Sequence, residues 1–285
     1  MTAPVGRRPT EDRLPAELRL GPVGLVVSDL RRSETWYREV IGLEPVDGAA
    51  GRVTLGAGGR ALLRLREEPG AIAAPGRLGL YHFAVLLPSR AALGSLIRHL
   101  LGRGEPFGAS DHLVSEALYL RDPDGLGVEV YADRPRSAWR WRDGEPRELE
   151  MATEPLDLAA VAAAGAGPWE GAPGGTTIGH LHLHVGSLEE ARAYYERALG
   201  FDVTVSGYPG ALFLSAAGYH HHLGLNTWAG PAARPARVGE ARLDYWTIEL
   251  PREQDVAAVE ARIAAAGFGR GDPWGTVLEL AASDG

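Results

Sequence analysis

Histidine is concentrated in two short stretches of this 285-residue chain. Nine histidines occur in all, and six of them lie in the segments HLHLH and HHH. Neutral imidazole nitrogens bind divalent metals, and imidazole exchanges protons near neutral pH. Buried imidazoles without partners are costly, so a cluster of this density predicts a shared chemical task. The six residues are His180, His182, His184, His220, His221 and His222.

A carboxylate is the second candidate for chemistry. Glu129 lies between Val128 and Val130 in the segment GVEV, where a strand facing an apolar layer would not normally carry a charge. The chain contains no cysteine, which excludes disulfides, thiolate nucleophiles and thiolate-bound metals. A metal would therefore have to be bound by His, Asp, Glu or Tyr side chains.

Side-chain alternation along the predicted strands directs these groups to one surface. In HLHLHV, Leu181 and Leu183 share the face that packs on a helix, and the three histidines share the opposite face. In HFAVLL, the apolar alternation leaves His82 on the inward face, and in GVEV it leaves Glu129 there. The pattern predicts a concave surface that carries imidazoles and one carboxylate.

Composition excludes several classes of function. The formal net charge is -8 and the arginines are scattered, which argues against a nucleic-acid partner. No apolar run approaches the roughly 20 residues of a membrane helix, and residues 1–19 contain no apolar signal core. We expect a globular protein of the cytoplasm without a membrane partner.

An internal repeat supplies the elements that position these residues. The segment starting at Val23 matches the segment starting at Leu181, and each copy reads as a strand, a capping Ser or Asp, a helix and a terminal glycine. Within the two copies, Tyr37 falls on Tyr195. The pattern therefore predicts one strand–helix unit used twice.

A second pair of segments follows the two copies. The stretch from Tyr81 matches the stretch from Asp244, and DPDGLGVEV matches DPWGTVLEL, each with a turn that leads into a last strand. Four modules result. They span about 20–66, 79–132, 177–228 and 242–283, with an N-terminal extension over 1–19 and a linker over 133–176 that includes a short helix in PLDLAAVAAAG.

Three of these segments resemble the vicinal oxygen chelate superfamily, and within it the two-domain catechol 2,3-dioxygenase type. They are SDLRRSETWYREVIGL, IGHLHLHVGSLEEARAYYERALGF and YLRDPDGLGVEVY. The resemblance covers nearly the whole chain. It implies an α+β fold of four βαβββ modules that pair into two eight-stranded, cup-like curved sheets with helices outside. The implied domains are an N-terminal one over 20–132, with modules 1 and 2, and a C-terminal one over 177–285, with modules 3 and 4.

The superfamily places metal ligands in the first and last strands of its modules. The matching positions are Pro22, His82, His180 and Tyr245 in the first strands, and Glu129 and Glu279 in the last strands. Two module pairings could form the metal site. A cup of modules 3 and 4 would offer His180, Tyr245 and Glu279, whereas a cup of modules 2 and 3 would offer His82, Glu129 and His180. We prefer the second, because two His and one carboxylate leave half of an octahedral ferrous ion open.

The resemblance also implies further site residues. Family enzymes have a histidine in a last-strand pattern that His221 matches, and a tyrosine ten residues before the ligand glutamate, the place of Tyr119; the other cup has Gly269 there. Simple alternation would instead turn His220 and His222 inward, so we keep His222 as a second candidate for the proton-transferring residue. Predicted substrate contacts are His112, His182 and Asn226.

The implied activity is extradiol cleavage of catechol-type rings, in which both atoms of O2 are inserted. The cofactor would be Fe(II), with Mn(II) as the alternative, and the partners a small aromatic diol and O2. The alternative hypotheses are a glyoxalase-like isomerase, a thiol transferase and a non-catalytic sequestering protein. The last of these predicts that the metal-ligand positions are lost in every cup. The sequence does not specify the substituents of the ring. It is compatible with a homo-oligomer but does not specify the oligomeric state.

Overall fold

The computed structural model describes residues 13–143 and 148–283, and most of their regular structure is β-strand. Residues 1–12 of the predicted N-terminal extension lie outside this part of the chain. The helices of the described residues are too short and too polar to cross a membrane.

The first half of the chain contains modules 1 and 2. Its elements are strand β1 (Arg19–Leu20), β2 (Val23–Val27), helix α1 (Leu30–Trp36) with a π-helical continuation (Tyr37–Ile41), β3 (Glu44–Ala49), β4 (Arg52–Ala57), β5 (Arg60–Glu67), β6 (Gly79–Leu86), α2 (Arg90–Arg103), β7 (Gly108–Asp111), β8 (Ser115–Arg121) and β9 (Gly127–Asp133). The side chain of Asp29 accepts a hydrogen bond from the first turn of α1, as the sequence predicts, and the side chain of Ser89 does the same for α2.

The second half begins with the linker and contains modules 3 and 4. Its elements are a 3-10 turn (Arg136–Ala138), β10 (Trp141–Arg142), β11 (Glu148–Leu149), α3 (Leu158–Ala163), β12 (Thr177–His184), α4 (Leu188–Ala191) with a π-helical continuation (Arg192–Ala198), β13 (Asp202–Val205), β14 (Ala211–Ser215), β15 (Leu223–Asn226), β16 (Arg242–Leu250), α5 (Glu253–Ala265) and β17 (Leu278–Ala282). The helix predicted in the linker is α3.

Modules 2 and 3 pair with each other. Strands β6 and β12 run antiparallel, with His82 opposite His182 and Ala84 opposite His180. Within each module the last strand lies parallel to the first, β9 beside β6 and β15 beside β12. The two modules contribute eight strands to this curved sheet, which we call the histidine cup. The sequence favours this pairing over that of modules 3 and 4.

Modules 1 and 4 form the other cup, which we call the arginine cup after Arg64 and Arg66, two residues of β5 whose side chains line its cavity. Strands β2 and β16 run antiparallel, with β5 parallel to β2 and β17 parallel to β16. The described residues supply six strands here, because only a short connection separates the end of α5 at Ala265 from the start of β17 at Leu278. The equivalent connection in module 2 is long enough to form β7 and β8. Strand β1 lies between β12 and β16 and joins the two cups into one sheet.

The core lies between the outer sheet faces and the helices. Trp246 and Ile248 of β16 and Phe83 of β6 are fully buried there, on the face opposite the cups. Burial of side chains of this size contributes about 1.5–3 kcal/mol each, so the outer face carries much of the stability of the fold.

The repeated helices make equivalent bonds to the next module. Both helices continue as π-helices, and the Tyr37 hydroxyl donates to Asp122 Oδ2 at 3.0 Å. The Tyr195 hydroxyl donates to Asp272 Oδ2 at 2.9 Å. Each bond is buried and connects a module of one cup to a module of the other. The sequence repeat therefore marks the same tertiary contact made twice.

Candidate metal centre

Three side chains converge inside the histidine cup. His82 comes from β6, Glu129 from β9 and His180 from β12, and all three are buried. In the strand register, Ala84 lies between Glu129 and His180. Its small side chain leaves room for the larger groups on either side. Their neighbours Phe83, Val128, Val130 and Leu181 pack in the apolar core on the outer face, which fixes the strands in this orientation.

The donor atoms of this cluster lie close together. Glu129 Oε2 is 2.9 Å from His82 Nε2 and 3.2 Å from His180 Nε2. Within the described ranges, this is the group of three His, Asp or Glu residues whose candidate ligand atoms all lie within 4.8 Å of one another. The cluster offers two imidazole nitrogens and one carboxylate oxygen, from the three residues that the sequence predicts as metal ligands.

The charges of the cluster suit a divalent cation. Burial alone would raise the pKa of Glu129, but the His180 and His82 imidazoles hold it well below its usual value. Burial lowers the pKa of His82 in spite of its carboxylate neighbour, so this ring is neutral with a free electron pair. An anionic carboxylate beside a neutral imidazole is the protonation state that metal binding requires.

Unpartnered atoms support the same conclusion. His82 Nε2 is buried and makes no hydrogen bond of acceptable geometry, although Glu129 lies nearby. A metal ion bound between His82, Glu129 and His180 would give this nitrogen a partner and offset the cost of its burial. The residues present therefore fit a mononuclear metal.

Tyr119 and His112 form a pair at one side of the cluster. Tyr119 lies opposite Glu129 in the β8–β9 register, and its ring centroid is 5.6 Å from that of His82. His112 Nε2 is 2.5 Å from the Tyr119 hydroxyl, and its Nδ1 is 2.7 Å from the Ala152 carbonyl oxygen. Because the carbonyl can only accept, His112 donates through Nδ1 and accepts from Tyr119 through Nε2. Burial and Glu129 raise the pKa of Tyr119 well above its usual value, which keeps the hydroxyl protonated.

The three consecutive histidines point to different surroundings. His221 lies against the metal cluster, with its ring centroid 4.2 Å from that of His180. His220 is fully buried beside it, with Nε2 2.9 Å from Asp133 Oδ1. His222 packs on Phe201 and its Nδ1 accepts from the Ala216 amide.

The backbone explains why alternation failed for these residues. Strand β15 begins only at Leu223, so His220, His221 and His222 belong to the turn that precedes it. Ala217 and Gly218 have φ values of 53° and 64° in this turn. Strand parity does not apply there, and two neighbouring side chains can face the same cup. The geometry favours His221 for the predicted proton transfer and gives His222 no contact with the cluster.

The predicted substrate contacts divide in the same way. His182 lies in the cup, with its ring centroid 5.0 Å from that of His82 and its Nε2 buried without a partner. Asn226 is fully buried farther along β15, and its Oδ1 accepts from His184 Nδ1 at 2.6 Å. His112 reaches the cluster through Tyr119. The arrangement favours His182 and His112 over Asn226 as groups that could contact a substrate.

Comparisons with known proteins identify the family. The model of the Glyoxalase/Bleomycin resistance protein/Dioxygenase superfamily matches residues 19–130 and 177–280. The chain belongs to this superfamily. It is also 45% identical over 258 residues to a protein of Bacillus subtilis (strain 168) named Catechol-2,3-dioxygenase, with 88% of this chain and 90% of the relative covered. These findings confirm the resemblance seen in the sequence.

Solved structures of the superfamily share the fold. A Bacillus subtilis (subsp. subtilis str. 168) protein aligns with a TM-score of 0.67 at 16% identity, over 96% of this chain and 87% of its own. Glyoxalase I from Zea mays aligns with a TM-score of 0.56 at 18% identity, over 93% of this chain and 92% of its own. The predicted α+β architecture of paired modules is confirmed.

The equivalent positions of the arginine cup carry other residues. Tyr245 stands where module 2 has His82, and its ring lies across Gly24, where a Cβ atom would come within 2.4 Å of it. Glu279 lies opposite Thr247, as Glu129 lies opposite Ala84. Pro22, at the position of His180, offers no side-chain ligand. The superfamily ligand set is therefore complete in the histidine cup alone among the described residues.

Aromatic residues that the sequence did not single out also line the histidine cup. Phe213 lies 5.0 Å from His221 between ring centroids, and Trp228 lies 5.4 Å from His182. The Tyr81 ring contacts His82 and His182 although strand parity places it outward. The register shift between His182 and Leu183 accounts for this exception. The positions of these three aromatic residues depend on pairing between distant strands, which no local sequence pattern shows.

Proposed function

We propose that this protein is an extradiol ring-cleaving dioxygenase that opens catechol-type substrates with O2 at a mononuclear Fe(II). The observation that carries the proposal is the buried cluster of His82, Glu129 and His180 in the histidine cup. The 45% identity to a protein named Catechol-2,3-dioxygenase supports the reaction class. The sequence alignment covers most of both chains, so the relationship extends beyond a single module.

His82, Glu129 and His180 would bind the metal through two nitrogens and one oxygen. When bound, a ferrous ion supplies Lewis acidity toward the substrate hydroxyls and the one-electron chemistry that O2 requires. Mn(II) prefers a similar donor set, so the three residues are compatible with either ion. One anionic and two neutral ligands leave the site with a net positive charge, which favours an anionic catecholate.

His221 is the residue that we assign to proton transfer. Burial and the His180 and His220 imidazoles lower the pKa of His221 well below its usual value, so its ring is neutral. Its Nδ1 is hydrogen-bonded to His220 Nδ1. Its Nε2 is therefore left to accept a proton from a substrate hydroxyl and to return it later. Groups of this kind typically contribute about 10²–10⁴-fold to a rate.

The remaining residues of the cup bind and orient the substrate. The His182 and Phe213 rings are 5.7 Å apart between centroids, and with Trp228 they form an aromatic wall suited to a planar ring. His182 Nε2 is free to hydrogen bond with a polar group of the substrate. Tyr119 is held by His112, so its oxygen is fixed beside the cluster. The cytoplasmic location stays a prediction from the sequence.

The test is the activity and metal content of protein purified without oxygen. Ferrous ion is added back, catechol is supplied with air, and the yellow ring-opened product is followed. About one iron per chain and yellow product are expected, with both lost in His82→Ala and Glu129→Ala. Tyr245→Phe and Glu279→Ala serve as matched controls in the arginine cup and should keep both. Loss in the controls alone would contradict the proposed site, and absence of metal and product in the wild type would contradict the function.

A further inference from the structure

A chain of hydrogen bonds leads from the metal cluster toward the protein surface. His221 Nδ1 and His220 Nδ1 are 2.8 Å apart, and His220 Nε2 is 2.9 Å from Asp133 Oδ1. His220 is fully buried, whereas the Asp133 side chain is 27% exposed. The chain joins the turn before β15 to the end of β9. Nothing in the sequence repeat predicts this contact.

The bonding capacity of each group sets the direction of the chain. An ionised carboxylate only accepts, so His220 Nε2–H donates to Asp133. A neutral imidazole carries one N–H, which leaves His220 Nδ1 as an acceptor. His221 must then donate through Nδ1–H. The electron pair of His221 Nε2 is thereby left on the opposite side of the ring from His220.

We propose that Asp133 and His220 are positioning residues that hold His221 in its Nδ1–H tautomer, with Nε2 unprotonated and available in the cup. The inference deepens the proposed function and rests on it for the catalytic role of His221. A histidine in the other tautomer would carry its proton on Nε2 and could not accept one there.

The surroundings of His220 restrict its movement. The Tyr219 ring lies 4.1 Å from it between centroids, and the Trp139 ring lies 5.4 Å away. The Tyr219 hydroxyl is 2.7 Å from that of Tyr131, whose own ring contacts His180. Packing of this kind keeps the His220 ring in the plane that the two hydrogen bonds need.

The experiment is a 1H–15N correlation spectrum of histidine side chains, recorded on the full-length chain before metal is added. Such spectra distinguish rings protonated on Nδ1 from rings protonated on Nε2. The wild-type spectrum tests the proposal without any variant: His221 is expected to carry its proton on Nδ1. A His221 ring protonated on Nε2 would overturn the proposal.

Two variants of Asp133 sharpen this experiment. In Asp133→Asn the amide can donate to His220 Nε2, which would reverse the chain and move the His221 proton to Nε2. Asp133→Glu keeps an acceptor and should retain Nδ1–H. After loading with iron, Asp133→Asn is expected to lower kcat about 10- to 100-fold with KM and iron content nearly unchanged. Asp47→Asn, on the exposed strand β3, is the matched control and should leave spectrum and kcat unchanged.

The spectrum and the activity assay separate two kinds of failure. If the tautomer changes in Asp133→Asn but the wild type shows no ring cleavage, the positioning stands and the proposed function fails. If the wild type cleaves catechol and both tautomer and kcat are unchanged in Asp133→Asn, the positioning role is wrong and the function stands.

Discussion

The two cups share a backbone arrangement but differ in the residues on their inner faces. In the histidine cup, Glu129 and two imidazoles converge on one point. In the arginine cup, Arg66 forms a two-point ion pair with Asp244, and Arg64 lies 3.3 Å from the Tyr245 hydroxyl. A cavity of about 370 Å³ remains there, lined by these residues together with Arg52 and Thr54.

The difference shows that the inner and outer faces of the sheet have separate roles. Successive side chains of a strand point to opposite faces. Trp246 and Ile248 therefore pack on the helices independently of which residues occupy positions 245 and 247 on the inner face. The fold depends on the outer face, so the inner faces of the two cups can carry different residues.

The largest effect is expected from the equivalent glutamates. Glu129→Gln removes the anionic ligand and should abolish stable binding of one metal ion per chain, because even substitution of a residue that only supports a ligand costs about 10–100-fold in metal affinity. Glu279→Gln changes the matching position of the arginine cup and should leave metal content at the wild-type value. Elemental analysis after dialysis measures both. Equal loss in the two variants would show that the arginine cup also takes part in metal binding.

An intermediate effect is expected from the two tyrosines that connect the cups. Tyr37→Phe leaves Asp122 without one of its buried donors, and Tyr195→Phe does the same to Asp272. A hydrogen bond to a charged group contributes about 1.5–3 kcal/mol, so both variants should lower the free energy of unfolding by a similar amount. Urea denaturation measures it. If only one variant were destabilised, the two halves would not be held together in the same way.

The smallest effect, for each unit of pH, is a pH dependence of stability. Burial raises the pKa of Asp122 to about 6, above an unfolded value of about 3.9. Between these values the folded carboxyl binds a proton that the unfolded one does not, so this group favours folding as the pH falls from about 6 to about 4. Asp122→Asn should remove that gain.

The comparison of wild type and Asp122→Asn by urea denaturation at several pH values isolates this contribution. The wild type should gain stability relative to the variant as the pH falls, by at most about 1.4 kcal/mol per pH unit. The pKa of Asp272 is also raised, chiefly by burial, so Asp272→Asn should change the slope in the same direction. A difference that does not vary with pH would contradict the raised pKa of Asp122.

Most of the fold and the core of the candidate site could be predicted from the sequence. Alternation of apolar residues places His82, Glu129 and His180 on inner faces because a strand has a period of two wherever its backbone is extended. The internal repeat predicts four modules because each copy carries the same cap, helix and turn residues. Those arguments require only local geometry.

Other features depended on the tertiary structure. The choice between His221 and His222 was decided by a turn that ends strand parity just before β15. The hydrogen bond between Asp133 and His220 joins residues far apart in the sequence. The arginine cup has fewer strands because the connection between α5 and β17 in module 4 is short. The sequence by itself therefore determined which residues face inward where a strand is regular, as for His82, Glu129 and His180, and which chemistry those residues allow. Only the packing of distant strands decided which of them meet, because contacts of that kind are set by register and not by local pattern.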